Sequence, residues 1–452
     1  MQSAKTKEIL QQVLEEITPT LNEKQKMKKI AKNLRQKVAD ACKEFSIDVI
    51  VRLEGSVAKD TWIRDNPDID IFLQLPTSIQ RNQLDEISLK IAFKATQGFK
   101  QIQRFAEHPY LETYVENTRV NIVPCYHATP GKWISATDRT PFHTDFINKN
   151  MNKTMQNQVR LLKKFMKSIE VYGAEIKVGG FSGYLCELLI LHYGSFNDVI
   201  ETFANPTPKL IIDINNFYEN KQNEIEKIFP EQIVIIDPVD KARNVASAVQ
   251  TQQLYTFTAA CQCFLKSPRK IFFNPPKTTR LPKNKIVKNL KQNGSDLLFV
   301  IFEQINTVPD ILWGQLYKTK KSLKKLLELN DFNVLRDTVW SEEGNKETVL
   351  IYELEQNNIS LMKKHYGPPL IHKTESEKFL SKYVNDRTLF SGPYIEETRW
   401  VIQLPRKYNQ ASTLLKAKLK DGGKSVGVAE LVSQSIKRKN TILINEEIIK
   451  VY

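Results

Sequence analysis

The amino-acid sequence predicts an α+β multidomain protein, built from a mixed α/β head, a helical middle domain and an α+β C-terminal region. The chain has 452 residues, and domains of roughly 150 residues would divide it into about three. Apolar residues make up 41% and charged residues 26% of the chain, a composition typical of globular proteins. Strand-like and helical patterns change twice along the chain, so we place the domains at residues 1–137, 138–265 and 266–452.

The head is predicted from one helix and three strands. Between residues 22 and 45, apolar side chains recur at helical spacing among lysines, which indicates an amphipathic helix. Segments 48–53, 69–75 and 119–124 are rich in β-branched residues between turn signals, and we expect them to be strands of one sheet.

The middle domain is predicted to be helical. A helical apolar stripe begins near residue 152, segment 184–193 is apolar nearly all round, and segment 244–264 has a further helical pattern. In the C-terminal region, strands and one long basic helix alternate. The strands are predicted at 297–302, 349–354 and 400–404, and the helix at 310–329.

The charge of the chain favours a polyanionic partner. Lys and Arg number 66 against 51 Asp and Glu, which gives a formal charge of +15. Nucleic acid is the leading candidate and a membrane surface the second. We expect no membrane association, because the N-terminus lacks an apolar signal core and the most apolar stretch, 184–193, is short and contains Glu187.

The five cysteines predict neither a disulfide framework nor a zinc site. Their number is odd, they are widely spread, and no two form a Cys-x-x-Cys pair. A reducing cytoplasm is therefore the expected location.

The strongest chemical signal is a Gly-Ser turn followed by two aspartates. Gly55-Ser56 ends a predicted strand, where backbone N–H groups can approach phosphate oxygens. Asn66-Pro67 then leads into a second strand with Asp68 and Asp70. Because side chains alternate across a strand, both carboxylates are expected on one face.

This arrangement suits Mg²⁺, a hard cation that can bridge carboxylates and a triphosphate. The pair can hold two metal ions, one lowering the pKa of an attacking hydroxyl and the other stabilising the leaving pyrophosphate. A lone Asp-x-Asp is a weak signal because ordinary strands and loops also contain it. Together with the Gly-Ser turn it predicts polymerase-type nucleotidyl transfer.

The whole pattern resembles the DNA polymerase β-like nucleotidyltransferase superfamily, and within it the class I (archaeal-type) CCA-adding enzymes. The segments that carry this resemblance, in the order of that family, are Glu-His-Pro-Tyr at 107–110, Ile-Val-Pro-Cys-Tyr at 122–126, Asp-Arg-Thr-Pro-Phe-His at 138–143, Tyr-Gly-Ala-Glu at 172–175, Gly-Phe-Ser-Gly-Tyr-Leu-Cys-Glu at 180–187 and Asp-Pro-Val-Asp at 237–240.

The resemblance implies a polymerase β-like head and template-independent addition of CCA to the 3′ end of tRNA from CTP and ATP. It also implies a homodimer and an RNA-binding C-terminal body and tail. Two alternatives remain. One is a poly(A) polymerase or oligoadenylate synthetase relative, which would accept ATP alone; the other is a catalytically weakened RNA-binding protein.

The resemblance also implies roles for individual residues of the nucleotide site. Ser56 and Lys59 would contact the triphosphate, although family enzymes generally have Arg at the Lys59 position. Arg243 would help to recognise the incoming base. The residues that would complete the site are His143, Lys163 and Tyr172. Taken singly, His143 could be a structural histidine and Lys163 part of a solvated helix face.

One position departs from the family. The third catalytic carboxylate is expected on the strand that leads into Val-Pro-Cys-Tyr, and here that residue is Asn121. An amide oxygen can ligate a metal but has no charge. Glu116 is expected in a turn and on the opposite face. Either Asn121 serves as a neutral ligand, or it was substituted to trap a complex, or the protein binds RNA without efficient catalysis.

A basic segment precedes the C-terminal strands. Residues 266–291 contain nine Lys or Arg and no acidic residue, interleaved with Phe272 and Phe273. Such a segment could follow an RNA backbone through Lys283, Lys285 and Lys288, or it could be a solvated connector.

Overall fold

The computed structural model describes residues 4–45, 47–64, 67–219, 221–277, 279 and 281–451. They form two compact units, Met1–Lys277 and Thr278–Tyr452, which we describe separately. Asn66 of the Asn-Pro turn, and Thr278 and Arg280 of the basic segment, lie outside the described residues.

The first unit combines helices with two small sheets. Its helices are α1 (Ala4–Ile17), α2 (Leu21–Glu44), α3 (Gly55–Ala58), α4 (Arg81–Ala95), α5 (Thr140–Asn150), α6 (Lys153–Ser168), α7 (Gly183–Tyr193), α8 (Phe196–Ala204), α9 (Gln222–Ile228) and α10 (Thr251–Lys266). Its strands are β1 (Ile50–Glu54), β2 (Asp68–Leu75), β3 (Lys100–Phe105), β4 (Pro109–Val115), β5 (Thr118–Tyr126), β6 (Leu210–Ile212), β7 (Ile233–Asp237) and β8 (Asp240–Asn244).

The head sheet has the strand order β1-β2-β5-β4-β3. β2 and β5 are parallel, and the other neighbours are antiparallel. Ile69 and Ile71 of β2 are fully buried in the core between one face of the sheet and helices α2 and α4. A capping box of Thr20 and Glu23 fixes the start of α2. The predicted head helix and the three predicted head strands are confirmed.

The rest of the first unit is a helical core around Phe165, which is fully buried. The buried helix predicted at 184–193 is α7. The helix predicted at 244–264 begins later than expected, at Thr251, because Asn244 is the last residue of β8 and residues 245–248 form a turn before the helix. β6, β7 and β8 make a three-stranded sheet that the sequence patterns did not indicate.

The second unit contains two sheets. Its helices are α11 (Lys283–Asn293), α12 (Pro309–Leu329), α13 (Lys373–Tyr383), α14 (Ala411–Leu419), α15 (Glu430–Arg438) and α16 (Glu446–Val451). Its strands are β9 (Asp296–Glu303), β10 (Val334–Trp340), β11 (Glu347–Leu354), β12 (Met362–Pro369), β13 (Ser391–Glu396), β14 (Arg399–Pro405) and β15 (Asn440–Ile444).

The larger sheet of this unit has the order β10-β11-β9-β15, and the smaller has the order β12-β14-β13. Leu316 and Leu323 of α12 are fully buried in the same core as residues of the larger sheet. The three strands and the long helix predicted here are confirmed. Within the described ranges, no helix combines the length and the apolar character that crossing a bilayer needs.

Candidate active site

A row of polar side chains crosses the head sheet on the face opposite to α2 and α4. Strand pairing places Glu54 beside Asp70, Asp70 beside Asn121, and Asn121 beside Glu112. Residues paired across neighbouring strands point to the same face, and Asp68 joins them because it lies two residues before Asp70 on β2. Asp68 and Asp70 therefore share one face, as their spacing predicts. Two further carboxylates, Glu54 and Glu112, extend the row beyond the prediction.

Gly55 lies directly against this row. It begins the short helix α3 with φ of +75°, in the left-handed region. A Cβ at this position would lie 2.1 Å from Oδ2 of Asp70, so a side chain would collide with the carboxylate. Both the backbone conformation and the close approach require glycine. Ser56 follows in α3 and is half-buried, so the Gly-Ser turn and the aspartates are neighbours in space.

Each aspartate has a hydrogen-bond partner on β5. Asn121 Nδ2 donates to Asp70 Oδ1 at 2.9 Å, and Arg119 Nη2 donates to Asp68 Oδ2 at 2.6 Å. Burial and the Asp68 charge raise the pKa of Asp70 to about 6. A cation bound at this face would offset both effects, because it stabilises the ionised carboxylates.

The oxygens of Asp68, Asp70 and Asn121 are of the type that a hard divalent cation prefers. Asn121 Oδ1 is buried and has no hydrogen-bond partner, so an unsatisfied oxygen lies beside Asp70. Among the residues that the structure describes, no three His, Cys, Asp or Glu side chains converge into a group that could hold a metal ion. Asp68, Asp70 and the amide oxygen of Asn121 are the ligands on offer.

A buried ion network lies between the head and the helices of the first unit. Glu187 of α7 accepts from Lys59 Nζ at 2.5 Å and from Lys163 Nζ at 3.1 Å. Thr61 Oγ1 also donates to Glu187, at 2.5 Å. Although burial opposes ionisation, the two lysines lower the pKa of Glu187 to about 2. Lys163 is thus not on a solvated helix face, since its side chain is 3% exposed.

A second buried carboxylate, Asp237, joins two more predicted site residues. His143 Nε2 lies 2.9 Å from Asp237 Oδ2, and Arg243 Nη1 donates to the same oxygen at 2.6 Å. Burial outweighs this hydrogen bond and lowers the pKa of His143. Tyr184 donates to Asp237 Oδ1 at 3.2 Å and stacks on the His143 ring with a centroid separation of 4.0 Å.

The two networks belong to one site. Lys59 Nζ lies 5.6 Å from the centre of the Tyr184 ring, which links the Glu187 network to the Asp237 network. A Cβ on Gly183 would lie 2.8 Å from the Tyr172 hydroxyl and 3.5 Å from Lys163 Nζ, so Tyr172 borders the same space. Burial, with Asp68 among the smaller contributors, raises the pKa of Tyr172. The structure therefore brings all the nucleotide-site residues predicted in the first unit into one region.

The three lysines that the sequence predicts to bind RNA lie in the second unit. Lys283, Lys285 and Lys288 are exposed on α11. Phe272 and Phe273 belong instead to the first unit, where both pack against the ring of Phe165. These two aromatic rings therefore pack in the core of the first unit. Only the positive charge of the basic segment still favours RNA binding.

Glu187 and Asp237 hold four of the predicted site residues, Lys59, Lys163, His143 and Arg243, and the sequence patterns predicted no role for either carboxylate. Both lie in segments that resemble the family, so their location was visible. Their partners were not, because Lys59 and His143 come from elements far away in sequence. The available signal was a single acidic residue in the otherwise apolar helix α7, since a buried carboxylate needs a cationic partner.

The sheet with its paired aspartates and glycine turn defines a nucleotidyltransferase head. Residues 34–143 match the family model described as "Nucleotidyltransferase domain". Residues 157–274 match "tRNA nucleotidyltransferase, second domain", and residues 293–445 match "CCA-adding enzyme, C-terminal domain". The predicted fold class is confirmed.

Full-length relatives narrow the class to one family. A CCA-adding enzyme of Methanosarcina barkeri is 37% identical over 96% of this chain and 93% of the relative. A CCA-adding enzyme of Pyrobaculum islandicum is 34% identical over 96% of this chain and 98% of the relative. The chain belongs to the family of CCA-adding enzymes, as the sequence motifs predicted.

Among solved structures, a cytoplasmic RNA terminal U-transferase shares 12% identity and a TM-score of 0.47, over 60% of this chain and 99% of that one. This likeness is too distant to bear on function.

Proposed function

We propose that this chain adds CCA to the 3′ end of tRNA without a template, using CTP twice and ATP once and releasing pyrophosphate. The observation that carries the proposal is the pair Asp68 and Asp70 on one face of β2, with Asp70 in contact range of Gly55. It is combined with membership of the CCA-adding family over 96% of the chain. The attacking group is the terminal 3′-hydroxyl of the tRNA.

Asp68, Asp70 and the amide oxygen of Asn121 hold Mg²⁺ in this proposal. Two carboxylates and a neutral oxygen are ligands of the type that Mg²⁺ prefers. When bound, the cation activates the hydroxyl and stabilises charge on the leaving pyrophosphate. Arg119 donates to Oδ2 of Asp68, which leaves Oδ1 of that carboxylate for the cation.

The triphosphate is proposed to lie between the Gly55-Ser56 turn and the buried lysines. Ser56 offers a hydroxyl donor, and Lys59 and Lys163 are cations that Glu187 holds in place. Glu187 fixes both Nζ atoms. Lys163 Nζ donates to Glu187 and twice to Thr61, which uses its three donors, so its proposed contribution to the triphosphate site is its charge. Tyr172 brings a hydroxyl to the same region.

Arg243 is proposed to read the incoming base. The guanidinium donates through Nη1 to Asp237, which fixes its direction and leaves other N–H donors for acceptors on C or A. His143, stacked on Tyr184 and hydrogen-bonded to Asp237, supports the same arrangement. Asp237 is thus a positioning residue for Arg243.

For the partners, we propose tRNA bound through the basic surface of the second unit, including Lys283, Lys285 and Lys288, in a cytoplasmic homodimer. The excess of 66 basic over 51 acidic residues favours this polyanion. The division into three domains at 137 and 265 stays a prediction.

The test is incubation of the purified protein with Mg²⁺ and tRNA that lacks CCA, supplying CTP or ATP alone or both together. We expect two C residues from CTP, no addition from ATP alone, and CCA from both. Long A tails from ATP alone would favour a poly(A) polymerase instead.

A second candidate function is RNA binding with little turnover. The observation that favours it is Asn121, whose neutral amide lies where the resemblance implies a carboxylate. It predicts that tRNA binds while no nucleotide is added under any of the three conditions.

A further inference from the structure

Glu112 is a buried carboxylate next to Asn121 that the proposed function has not used. It lies on β4, directly opposite Asn121 on β5, and Asn121 is directly opposite Asp70 on β2. The three side chains therefore form one line across three strands on the same face. The side chain of Glu112 is 6% exposed, so its charge is carried inside the protein.

The reach of Glu112 matches the position of Asn121. Directly opposed residues in an antiparallel pair have Cβ atoms about 4.5–5.5 Å apart. A glutamate is one methylene longer than an aspartate, so its carboxylate can approach the functional group of its neighbour. Asn121 Nδ2 is turned toward Asp70, while Asn121 Oδ1 is buried and has no partner.

Arginines lie beside the acids on both sides of Asn121. Arg119 donates to Asp68 at 2.6 Å, and Arg104 donates to Glu112 at 3.2 Å. Of the carboxylates on this face, Asp68, Asp70 and Glu112 thus meet two guanidinium groups. The fourth, Glu54, pairs with Arg52 at 2.6 Å. A divalent cation could replace the arginines as counter-charge, since both are partly exposed, with side-chain exposures of 47% for Arg119 and 25% for Arg104.

We propose that Glu112 supplies the third negative charge of the metal site, which Asn121 cannot supply. This inference rests on the proposed function, in which Asp68 and Asp70 hold the divalent cation. The charge comes from the strand on the other side of Asn121. Because Glu112 is one strand farther from Asp70 than position 121 is, it replaces the missing charge only in part. Tyr114, which donates to Glu112 at 3.1 Å, positions the carboxylate.

The competing explanation is that Glu112 only ties β4 to β3 through Arg104. A purely structural ion pair would not depend on what residue occupies position 121. A charge that compensates for Asn121 becomes dispensable once position 121 carries its own carboxylate. A double-mutant cycle between the two positions separates these explanations.

The experiment measures Mn²⁺ affinity by calorimetry and C addition to tRNA lacking CCA, on the full chain. The variants are the unmodified protein, Glu112→Gln, Asn121→Asp and the double variant. We expect Glu112→Gln to weaken Mn²⁺ binding about tenfold or more and to slow C addition. In the double variant, Asn121→Asp is expected to restore both properties to near the unmodified level.

Glu86→Gln is the matched control, because Glu86 is an exposed glutamate of the head that pairs with Lys90. It should leave Mn²⁺ affinity unchanged. Glu112→Asp keeps the charge and should retain most of the affinity, which covers the case in which Glu112→Gln does not fold.

Three results would decide against the inference or its foundation. Unchanged Mn²⁺ affinity in Glu112→Gln would overturn the role of Glu112, as would a loss that Asn121→Asp does not rescue. If Asp70→Ala binds Mn²⁺ and adds C as the unmodified protein does, the placement of the metal site fails, and with it the proposed function. The Asp70→Ala result tests the proposed function by itself, because that variant leaves Glu112 unchanged.

Discussion

Asn121 is the residue at which sequence and family disagree, and the structure explains what the disagreement means. The parallel pairing of β2 and β5 puts Asn121 beside Asp70, where a carboxylate is implied. Its amide donates a hydrogen bond to Asp70 and leaves an oxygen without a partner. An aspartate would instead add charge at the same point.

We predict that Asn121→Asp raises the rate of C and A addition and lowers the Mg²⁺ concentration required, since it adds negative charge beside Asp70. Affinity for tRNA should change little. Single-turnover primer extension across a Mg²⁺ titration measures both quantities. Asn82→Asp, which places the same charge on the exposed start of α4, is the control. An Asn121→Asp variant that is no faster at any Mg²⁺ concentration would contradict the prediction.

Glu187 gives a pH-dependent prediction. Its pKa is about 2 in the folded protein, against an ordinary value of 4.5. Between these values the folded state binds fewer protons than the unfolded state, so the stability due to Glu187 is complete above about pH 5 and is lost as the pH falls toward 2. Glu187→Gln should therefore lower the thermal midpoint at pH 7, because it leaves Lys59 and Lys163 without their buried counter-charge, at a cost of roughly 3–5 kcal/mol.

The measurement is the thermal unfolding midpoint of Glu187→Gln and the unmodified protein at several pH values from about 7 to about 3. The gap between the two should narrow as the pH falls. A constant gap across this range would mean that Glu187 does not act through its charge. Glu86→Gln, an exposed substitution, serves as the reference for non-specific effects.

Spacing along one strand predicted part of this chemistry. Asp68 and Asp70 share a face because side chains alternate along β2, and that follows from sequence. Glu112 and Glu187 could not be assigned in the same way. Their roles depend on which strand lies next to β5 and on which helix packs against Lys59, and both are outcomes of tertiary packing.

At the scale of elements, helix α11 allows the proposed RNA surface to be tested, because three of its exposed lysines lie on one helix. Replacing Lys283, Lys285 and Lys288 together by Gln should weaken tRNA binding and flatten the dependence of log affinity on log salt concentration, because fewer counterions are released. Filter binding across a salt series measures the slope. The same triple change at Lys28, Lys29 and Lys32, exposed on α2, is the matched control. Equal slopes for the α11 variant and the unmodified protein would reduce α11 to a connector.

The elements also show where periodicity fails. Long amphipathic segments such as α2 and α12 were predicted within a residue or so, since tertiary packing only reinforces their pattern. The helix predicted from residue 244 begins only at Thr251, because Asn244 ends the hairpin with β7 and residues 245–248 form a turn. A short strand of this kind is stabilised by its partner and leaves little periodic signal of its own.

At the scale of the whole molecule, the order of the parts on the chain agrees with the family. Matches to a nucleotidyltransferase domain, a second domain and a C-terminal domain follow one another across residues 34–445. Composition alone pointed only to a polyanion, since a charge of +15 is compatible with many RNA-binding proteins. The order of the motifs along the chain predicted the reaction. The fold of the head explains why the Gly-Ser turn and the two aspartates are close in space.

The central claim is that Asp68 and Asp70 carry out CCA addition, and it is tested most directly by Asp68→Ala and Asp70→Ala. Each should abolish addition of C and A to tRNA that lacks CCA, because we propose that these carboxylates hold the metal. Binding of the tRNA should stay largely intact, since the basic surface holds the RNA. Asp40→Ala, at an exposed aspartate of α2, should add CCA as the unmodified protein does. Incorporation by Asp68→Ala or Asp70→Ala at the unmodified rate would contradict the account.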